Sequence, residues 1–156
     1  MSDRYVIIVE HTPVPQPRQR ATATKTGKVV NYVPGNHPIR DFKDAIKRAA
    51  MEVVDGFVEP PIHLGITFVV PRPKSLTREA KTEGRVPLTK AKGDWDNFGK
   101  AVSDALEGIF YENDCQIYSA YVEKYYSAEG ESPHTVVLVE HSIHAEAPDS
   151  DSNEPE

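Results

Sequence analysis

The chain has 156 residues, of which 38% are hydrophobic and 27% are charged, and its formal net charge is −6. This length predicts one domain with a modest core. The single cysteine excludes an intrachain disulfide, and no apolar run approaches the roughly 20 residues that a membrane-spanning helix needs. The first residues lack the charged-then-apolar layout of a signal peptide, so we expect a cytoplasmic protein with no membrane partner.

The overall acidity conceals an asymmetry along the chain. Residues 1–92 contain 16 Lys and Arg against 9 Asp and Glu, whereas residues 93–156 contain 2 against 15. Five of these acids lie after residue 141, in a stretch with almost no apolar side chains. We therefore predict a folded domain over residues 1–141 and a disordered acidic tail over residues 142–156. DNA binding depends on a local basic surface rather than on net charge, so the acidic total is compatible with it.

The first part of the chain predicts strands followed by a helix. Residues 5–9 are apolar and mostly β-branched, which is typical of a strand buried on both faces. Prolines at alternate positions over residues 13–17 favour an extended segment. Residues 29–33 predict a short strand or half of a hairpin. Apolar side chains at three- and four-residue spacing predict an amphipathic helix over residues 38–55.

The middle of the chain adds a strand, a basic segment and a second helix. Residues 63–70 predict the strand. Residues 71–93 are basic and show no periodicity, so we expect a loop that contacts the phosphate backbone, with a solvated flap as the alternative. Residues 95–107 predict a helix whose buried stripe includes Trp95 and Phe98.

Two strands, over residues 118–126 and 135–139, complete the predicted elements. The resulting order is β-α-β-α-β-β. This order indicates an α/β (α+β) fold in which two main helices pack on a mixed β-sheet.

The residues that carry the most chemical information lie at the start of the second predicted helix. Asp94 and Asp96 occur there, and Lys100 follows on the helix face that carries Asp96. Capping by an acid and a surface ion pair are the ordinary explanations for such residues. Two aspartates this close also suit Mg²⁺, which takes oxygen ligands. An EF-hand calcium loop is excluded, because its fifth and twelfth positions would be Phe98 and Ala105.

The segment after this helix offers a third carboxylate. Residues 111–116 lead into the next strand, and an antiparallel return could bring Asp114 back toward Asp94 and Asp96. The sequence leaves that geometry open. The residue types alone therefore decide neither for a metal site nor for capping and ion pairing.

With these residues in view, the chain resembles the RusA-type Holliday-junction resolvases, which are crossover junction endodeoxyribonucleases. The resemblance covers about residues 5–140. The matching segments are Asp94-x-Asp96-Asn97-x-x-Lys100, Asp104-Ala105-Leu106, Asn113-Asp114-x-Gln116-Ile117 and the proline-and-basic run from Pro15 to Arg20. A lone Asp-x-Asp is common, whereas this ordered set with these spacings is specific.

The resemblance implies a homodimer that resolves four-way (Holliday) DNA junctions by paired symmetric nicks in recombination and repair. It assigns metal binding to Asp94, Asp96 and Asp114, and catalysis to these acids together with Lys100. The implied cofactor is Mg²⁺, for which Mn²⁺ could substitute, and the implied source is a bacterial cytoplasm or a phage. Lys100 would stay cationic beside three carboxylates and stabilise developing negative charge.

Two positions depart from the family's pattern. Many members carry a double aspartate where this chain has Asn113-Asp114, so residue 113 cannot be an anionic ligand here. Many also carry proline where this chain has Gly93, and we expect the glycine to loosen the start of the helix.

The basic segments supply candidates for phosphate contacts. These DNA-binding candidates are Arg18, Arg20, Lys25, Lys28, Lys74, Lys90 and Lys92. Two other functions stay open on the sequence. One is a structure-selective nuclease that acts on forks or flaps, and the other is a junction-binding protein that has lost catalysis.

Overall fold

The computed structural model of the protein describes residues 4–17, 20–32, 35–90 and 93–143. Arg18, Lys92 and the part of the predicted acidic tail from residue 144 onward lie outside these residues, and Arg20 is described only by its backbone. The elements in chain order are β1 (Arg4–Val9), β2 (Arg20–Ala23), β3 (Val29–Tyr32), α1 (Ile39–Met51), β4 (Ile62–Val70), α2 (Leu76–Ala80), β5 (Val86–Pro87), α3 (Trp95–Leu106), a 3₁₀ turn (Asp114–Gln116), β6 (Ile117–Tyr126) and β7 (His134–His141).

Five strands form one mixed sheet in the order β1-β7-β4-β6-β5, while β2 and β3 form a separate hairpin. β4 and β6 run parallel, whereas the other neighbours in the sheet are antiparallel. Parallel neighbours require a long crossover connection, and here that connection contains α2, β5 and α3. The mixed sheet confirms the predicted α+β class, and the β2–β3 hairpin confirms one of the two expectations for residues 29–33. The order of elements is longer than the predicted one.

β1 is an edge strand with one covered face, which corrects the prediction of burial on both faces. Ile7 and Val9 point into the core, whereas Val6 and Ile8 are 53% and 57% exposed. The apolar run therefore reflects the β propensity of branched side chains as well as burial. None of the helices in the described part of the chain covers the face of β1 that exposes Val6 and Ile8.

α1 and α3 are the two main helices, as predicted, and they pack against each other over the covered face of the sheet. α1 ends at Met51, a few residues before the predicted end at residue 55, and the Ala50 carbonyl accepts hydrogen bonds from the N–H groups of Val53 and Val54 just beyond it. Within the ranges that the structure describes, no helix is both long and apolar enough to cross a bilayer.

Residues 71–93 are partly ordered by α2 and β5, which corrects the prediction of a loop without secondary structure. Arg72 holds this segment in place. Its guanidinium donates to the carbonyl oxygens of Gly84 and Ser127 at 2.8 and 2.9 Å, and to Thr77 Oγ1 at 2.8 Å. A sequence pattern cannot predict these hydrogen bonds, since the partners of Arg72 are far apart along the chain.

Candidate active site

The first turn of α3 presents Asp94 and Asp96 with exposed carboxylates. Asp94 occupies the N-cap position with φ −68° and ψ 143°, yet its side chain makes no capping hydrogen bond. Asp96 Oδ1 accepts from the N–H of Asn97 at 3.0 Å. Helix capping therefore does not account for the carboxylate of Asp94.

Gly93, directly before this turn, approaches the ring of Phe98 closely. Its φ is +145°, and a Cβ added there would lie 2.2 Å from Phe98 Cε2. A side chain at residue 93 would thus clash with a ring that is only 2% exposed and pairs with Phe68 at 4.9 Å between centroids. The glycine permits close packing at the start of α3, in addition to any freedom that it gives the backbone.

Trp95 is 63% exposed, which corrects the prediction that it belongs to the buried stripe. The buried stripe of α3 begins at Phe98 and continues through Ala101, Val102, Ala105 and Leu106. Phe98 is the first core residue of α3, and Gly93 packs against its ring. Trp95, one turn earlier, lies beyond the edge of the core. Helical periodicity shows which residues share a helix face, but it does not show how far along the helix other elements pack against that face.

A short 3₁₀ turn presents Asp114, and its neighbours shape that turn. The Cys115 N–H donates to Asn113 Oδ1 at 2.9 Å. In return, Gln116 Oε1 accepts from the N–H groups of Glu112 and Asn113 at 3.1 and 3.5 Å. This reciprocal pattern is a capping box. Asn113 and Gln116 of the matching motif therefore position Asp114.

Tyr111 joins the turn to the end of α3. Its ring is fully buried, and its hydroxyl donates to the Ser103 carbonyl at 2.6 Å. That carbonyl is one of the last four of α3, which lack partners within the helix. Burial raises the pKa of Tyr111, with a further contribution from Asp114 and Glu107, so the hydroxyl stays a donor. The Asp114 N–H also donates to Glu107 Oε1 at 3.3 Å, and Asp114 is thereby held beside the C-terminal half of α3.

Three carboxylates meet at this joint. Oxygens of Asp104, Glu107 and Asp114 all lie within 4.8 Å of one another. Asp104 is also bound by two lysines, with Lys100 Nζ at 2.9 Å and Lys43 Nζ at 3.9 Å. We call Asp104, Glu107 and Asp114 the acidic cluster.

The acids determine the charge state of Lys100. Its hydrogen bond to Asp104 is the largest effect and raises its pKa, burial lowers the pKa by less, and the charges of Asp104, Asp114 and Glu107 raise it further. Lys100 is therefore a cation at neutral pH. Its side chain is 58% exposed, so it stays accessible to a ligand.

A cavity of about 310 Å³ lies between α3 and the sheet, and Asp96, Lys100 and Asp114 all line it. Leu64 and Ile66 from β4 contribute an apolar wall. The cavity thus joins residues from the first two turns of α3 to a residue that follows the helix. Three of the four predicted catalytic residues meet there, while Asp94 is not among the lining residues.

Asp104 and Glu107 were not among the predicted ligands, although a signal for them exists. Glu107 directly follows the last residue of α3, three positions after Asp104, so the helical spacing brings the two acids to the same side. Asp104 also falls four residues after Lys100. Lys43 on α1 carries no comparable signal, because it reaches Asp104 only through the packing of α1 on α3. Burial lowers the pKa of Lys43, and Asp104 partly offsets this effect.

The oxygen donors suit a divalent cation of the Mg²⁺ type. Carboxylates are the ligands that hard cations prefer, and Mg²⁺ typically combines one or two of them with water and phosphate oxygens. Asp114 belongs to the predicted set with Asp94 and Asp96, but among the described residues its partners within 4.8 Å are Asp104 and Glu107. The chemistry of these side chains therefore fits such an ion, and Mn²⁺ accepts the same ligands.

The predicted DNA-binding residues that the structure describes lie on exposed segments. Lys25, Lys28, Lys74 and Lys90 are all exposed. The proline-rich segment that leads to Arg20 is fixed beside α3, because the Gln16 N–H donates to the Asn97 carbonyl at 2.9 Å. This contact places Gln16, in the described part of the proline-rich segment, beside the first turn of α3.

Arg85 differs from these lysines, because it is already paired inside the protein. Its guanidinium contacts Glu131 at 2.7 Å and lies 6.0 Å from the centroid of the Tyr125 ring. The hydrogen bond from Arg85 lowers the pKa of Glu131 to about 2. Arg72 and Arg85 therefore have structural partners, although both belong to the basic segment.

Comparison with known proteins gives two findings. The family model described as "Endodeoxyribonuclease RusA" matches residues 10–140. The chain is also similar to the "Uncharacterized protein YqaN" of Bacillus subtilis (strain 168), with 30% identity over 122 residues, which is 75% of this chain and 84% of that protein.

Proposed function

This chain belongs to the RusA endodeoxyribonuclease family, and from that premise we propose that it resolves four-way DNA junctions with a divalent cation, Mg²⁺ or Mn²⁺, as cofactor. Membership confirms the resemblance found in the sequence and supports an endonuclease that acts on branched DNA. The paired symmetric nicks, the cation and the dimer belong to the proposal.

The meeting of Asp96, Lys100 and Asp114 in one cavity carries this proposal. Two of these side chains come from α3, and the third comes from the turn that follows it. Carboxylates beside a fixed lysine are poorly suited to simple phosphate binding, because they repel the phosphate. They suit a site that holds a cation and a phosphodiester together.

The proposed reaction is in-line attack of water on phosphorus, which leaves a 5′-phosphate and a 3′-hydroxyl. Asp114, Asp96 and Asp94 would hold the cation, with Asp104 and Glu107 as further carboxylates beside Asp114. A bound divalent cation supplies charge that polarises a phosphoryl oxygen and lowers the pKa of water.

Lys100 would stabilise the negative charge that develops on the phosphate oxygens. The raised pKa of Lys100 supports this role, because it keeps the amine protonated. The hydrogen bond to Asp104 holds the amine at 2.9 Å from that carboxylate on the α3 face. A cation that is already positioned needs little reorganisation during the reaction.

We also propose a homodimer, because the near-symmetric strands of a four-way junction call for two matching sites related by a two-fold axis. The sheet face that exposes Val6 and Ile8 supports a protein partner in this region. Exposed Lys25, Lys28, Lys74 and Lys90 would contact phosphates, and Arg18, Arg20 and Lys92 stay proposed contacts on the same segments.

The fork- or flap-selective nuclease stays an alternative, since the same cavity would support it. Mg²⁺-titrated cleavage of a labelled mobile four-way junction, a fork and a linear duplex of matched sequence separates the two. We expect the junction to be cut fastest, with nicks at symmetric positions in opposite strands. Preferential cutting of the fork would favour the alternative, and no cutting of any branched substrate with either Mg²⁺ or Mn²⁺ would refute the nuclease proposal.

The Asp96→Asn variant tests the site and the inactive-binder alternative together. Cleavage should be abolished, while binding to the junction persists or tightens because the repulsion of phosphate falls. Cleavage at the normal rate by this variant would show that the site is assigned to the wrong residues. If the unmodified chain binds junctions but never cuts them, the inactive-binder alternative is favoured.

A further inference from the structure

Trp95 lies outside the hydrophobic core that the described residues form. It lies between Asp94 and Asp96 in the first turn of α3 and is 63% exposed. Single exposed aromatic residues are common and need no explanation by themselves. Trp95 is the first residue of α3, however, and it lines the same cavity as Asp96, Lys100 and Asp114.

The apolar part of the cavity lining comes mainly from the sheet. Leu64 and Ile66 on β4 are the register partners of Ala120 and Val122 on β6, and all four side chains line the cavity. They form an apolar patch on two neighbouring strands, in which Leu64 and Ile66 are only 2% exposed, whereas Ala120 is exposed and Val122 is half-buried. α3 lies close to this patch at Gly99, where an added Cβ would be 3.5 Å from a methyl group of Val122.

The cavity therefore has two chemically different sides. Asp96, Lys100 and Asp114 offer charge, whereas Trp95 and the sheet patch offer apolar and aromatic surface. Phosphate binding and hydrolysis use the charged side and do not need the apolar side. A nucleotide matches both sides, since it has a phosphate at one end and a flat ring with a π-face at the other.

We infer that this cavity binds an unpaired nucleobase next to the phosphate that is cut, with the base stacked on Trp95. The inference rests on the proposed function and adds a specificity element to it. A base can enter the cavity only if it has left the helical stack, and it leaves most easily where base pairing is interrupted. Trp95 would thereby favour branched DNA over continuous duplex.

The single tryptophan makes this contact directly measurable. All tryptophan fluorescence of the chain comes from Trp95, and binding can be followed without Mg²⁺ so that no cleavage occurs. We expect an unlabelled four-way junction to quench this emission and to protect Trp95 from acrylamide. A linear duplex of the same length and composition should do both much less at equal occupancy.

Two substitutions separate stacking from simple apolar contact. Trp95→Leu should weaken junction binding on the order of ten-fold, because base–aromatic stacking is lost. Trp95→Phe should retain most of the affinity, since it keeps an aromatic face. Binding to the linear duplex should change little in either variant, which provides the internal control.

The possible outcomes are distinct from those for the proposed function. If the unmodified chain cuts junctions but Trp95 emission and acrylamide quenching do not change on binding, the inference is wrong and the nuclease proposal stands. The same conclusion follows if Trp95→Leu and Trp95→Phe bind the junction equally well. If Trp95 becomes protected from acrylamide as the concentration of DNA-free protein rises, a second copy of the chain covers it, and the inference is likewise overturned.

A chain that neither binds nor cuts junctions would refute both the inference and the proposed function.

Discussion

Removing the hydroxyl of Tyr111 should loosen the joint between the end of α3 and the turn that carries Asp114. In Tyr111→Phe the partly buried Ser103 carbonyl loses the donor that now lies 2.6 Å away. Leaving a partly buried carbonyl without this donor costs about 1–2 kcal/mol. With a urea m-value of about 2 kcal/mol per M for a domain of this size, a loss of 1–2 kcal/mol lowers the unfolding midpoint by about 0.5–1 M.

The assay is equilibrium urea unfolding followed by circular dichroism, with Tyr121→Phe as the matched control. Tyr121 is 50% exposed, and its hydroxyl donates a solvent-accessible hydrogen bond to the half-buried side chain of Glu123. Water can replace that bond, so the control should stay within about 0.5 kcal/mol of the unmodified chain. Equal midpoints for Tyr111→Phe and the control, at an unchanged m-value, would refute the reasoning that this hydroxyl completes the helix end.

Three further predictions concern other parts of the molecule. Lys100→Ala should lower the turnover of junction cleavage and leave binding nearly unchanged, whereas a large loss of affinity at normal turnover would count against its role. Gly93→Ala should destabilise the fold by about 1–3 kcal/mol in thermal unfolding, because its Cβ would meet Phe98 at 2.2 Å; an unchanged melting temperature would contradict this. Arg85 lowers the pKa of the Glu131 carboxylate from 4.5 to about 2. The ion pair therefore contributes its full stabilisation at pH values above 4.5, and this contribution is lost as the pH falls through about 2. NMR titration of the Arg85 guanidinium should follow that transition, and a midpoint near 4.5 would show that the pair is weak.

Local spacing predicted much of the scaffold around the site. The apolar periodicity located α3 to within one residue of its observed end, and it put Asp96 and Lys100 on one face. β4 and β6 were also located closely, because each is a continuous β-favouring run. These features depend on a few neighbouring residues, so the sequence contains the information that they need.

The predictions that failed for β1 and for the start of α3 concern where burial begins and ends. Trp95 fits the helical period but lies beyond the edge of the core, and Val6 and Ile8 fit a buried strand but lie on an uncovered face. Apolar periodicity shows which side chains share a face. It does not show whether another element covers that face.

The sequence by itself determined the membership of the family, the residue types of the site and the helix face that carries Asp96 and Lys100. Only the tertiary structure decided how Asp114 returns to α3, since this depends on the Tyr111 hydroxyl, the capping box of Asn113 and the crossover between parallel strands. It likewise brought Glu107 to Asp114. The physical reason is that spacing along one helix is fixed by the geometry of a single element, whereas the distance between separate segments is fixed by all the contacts that pack them together.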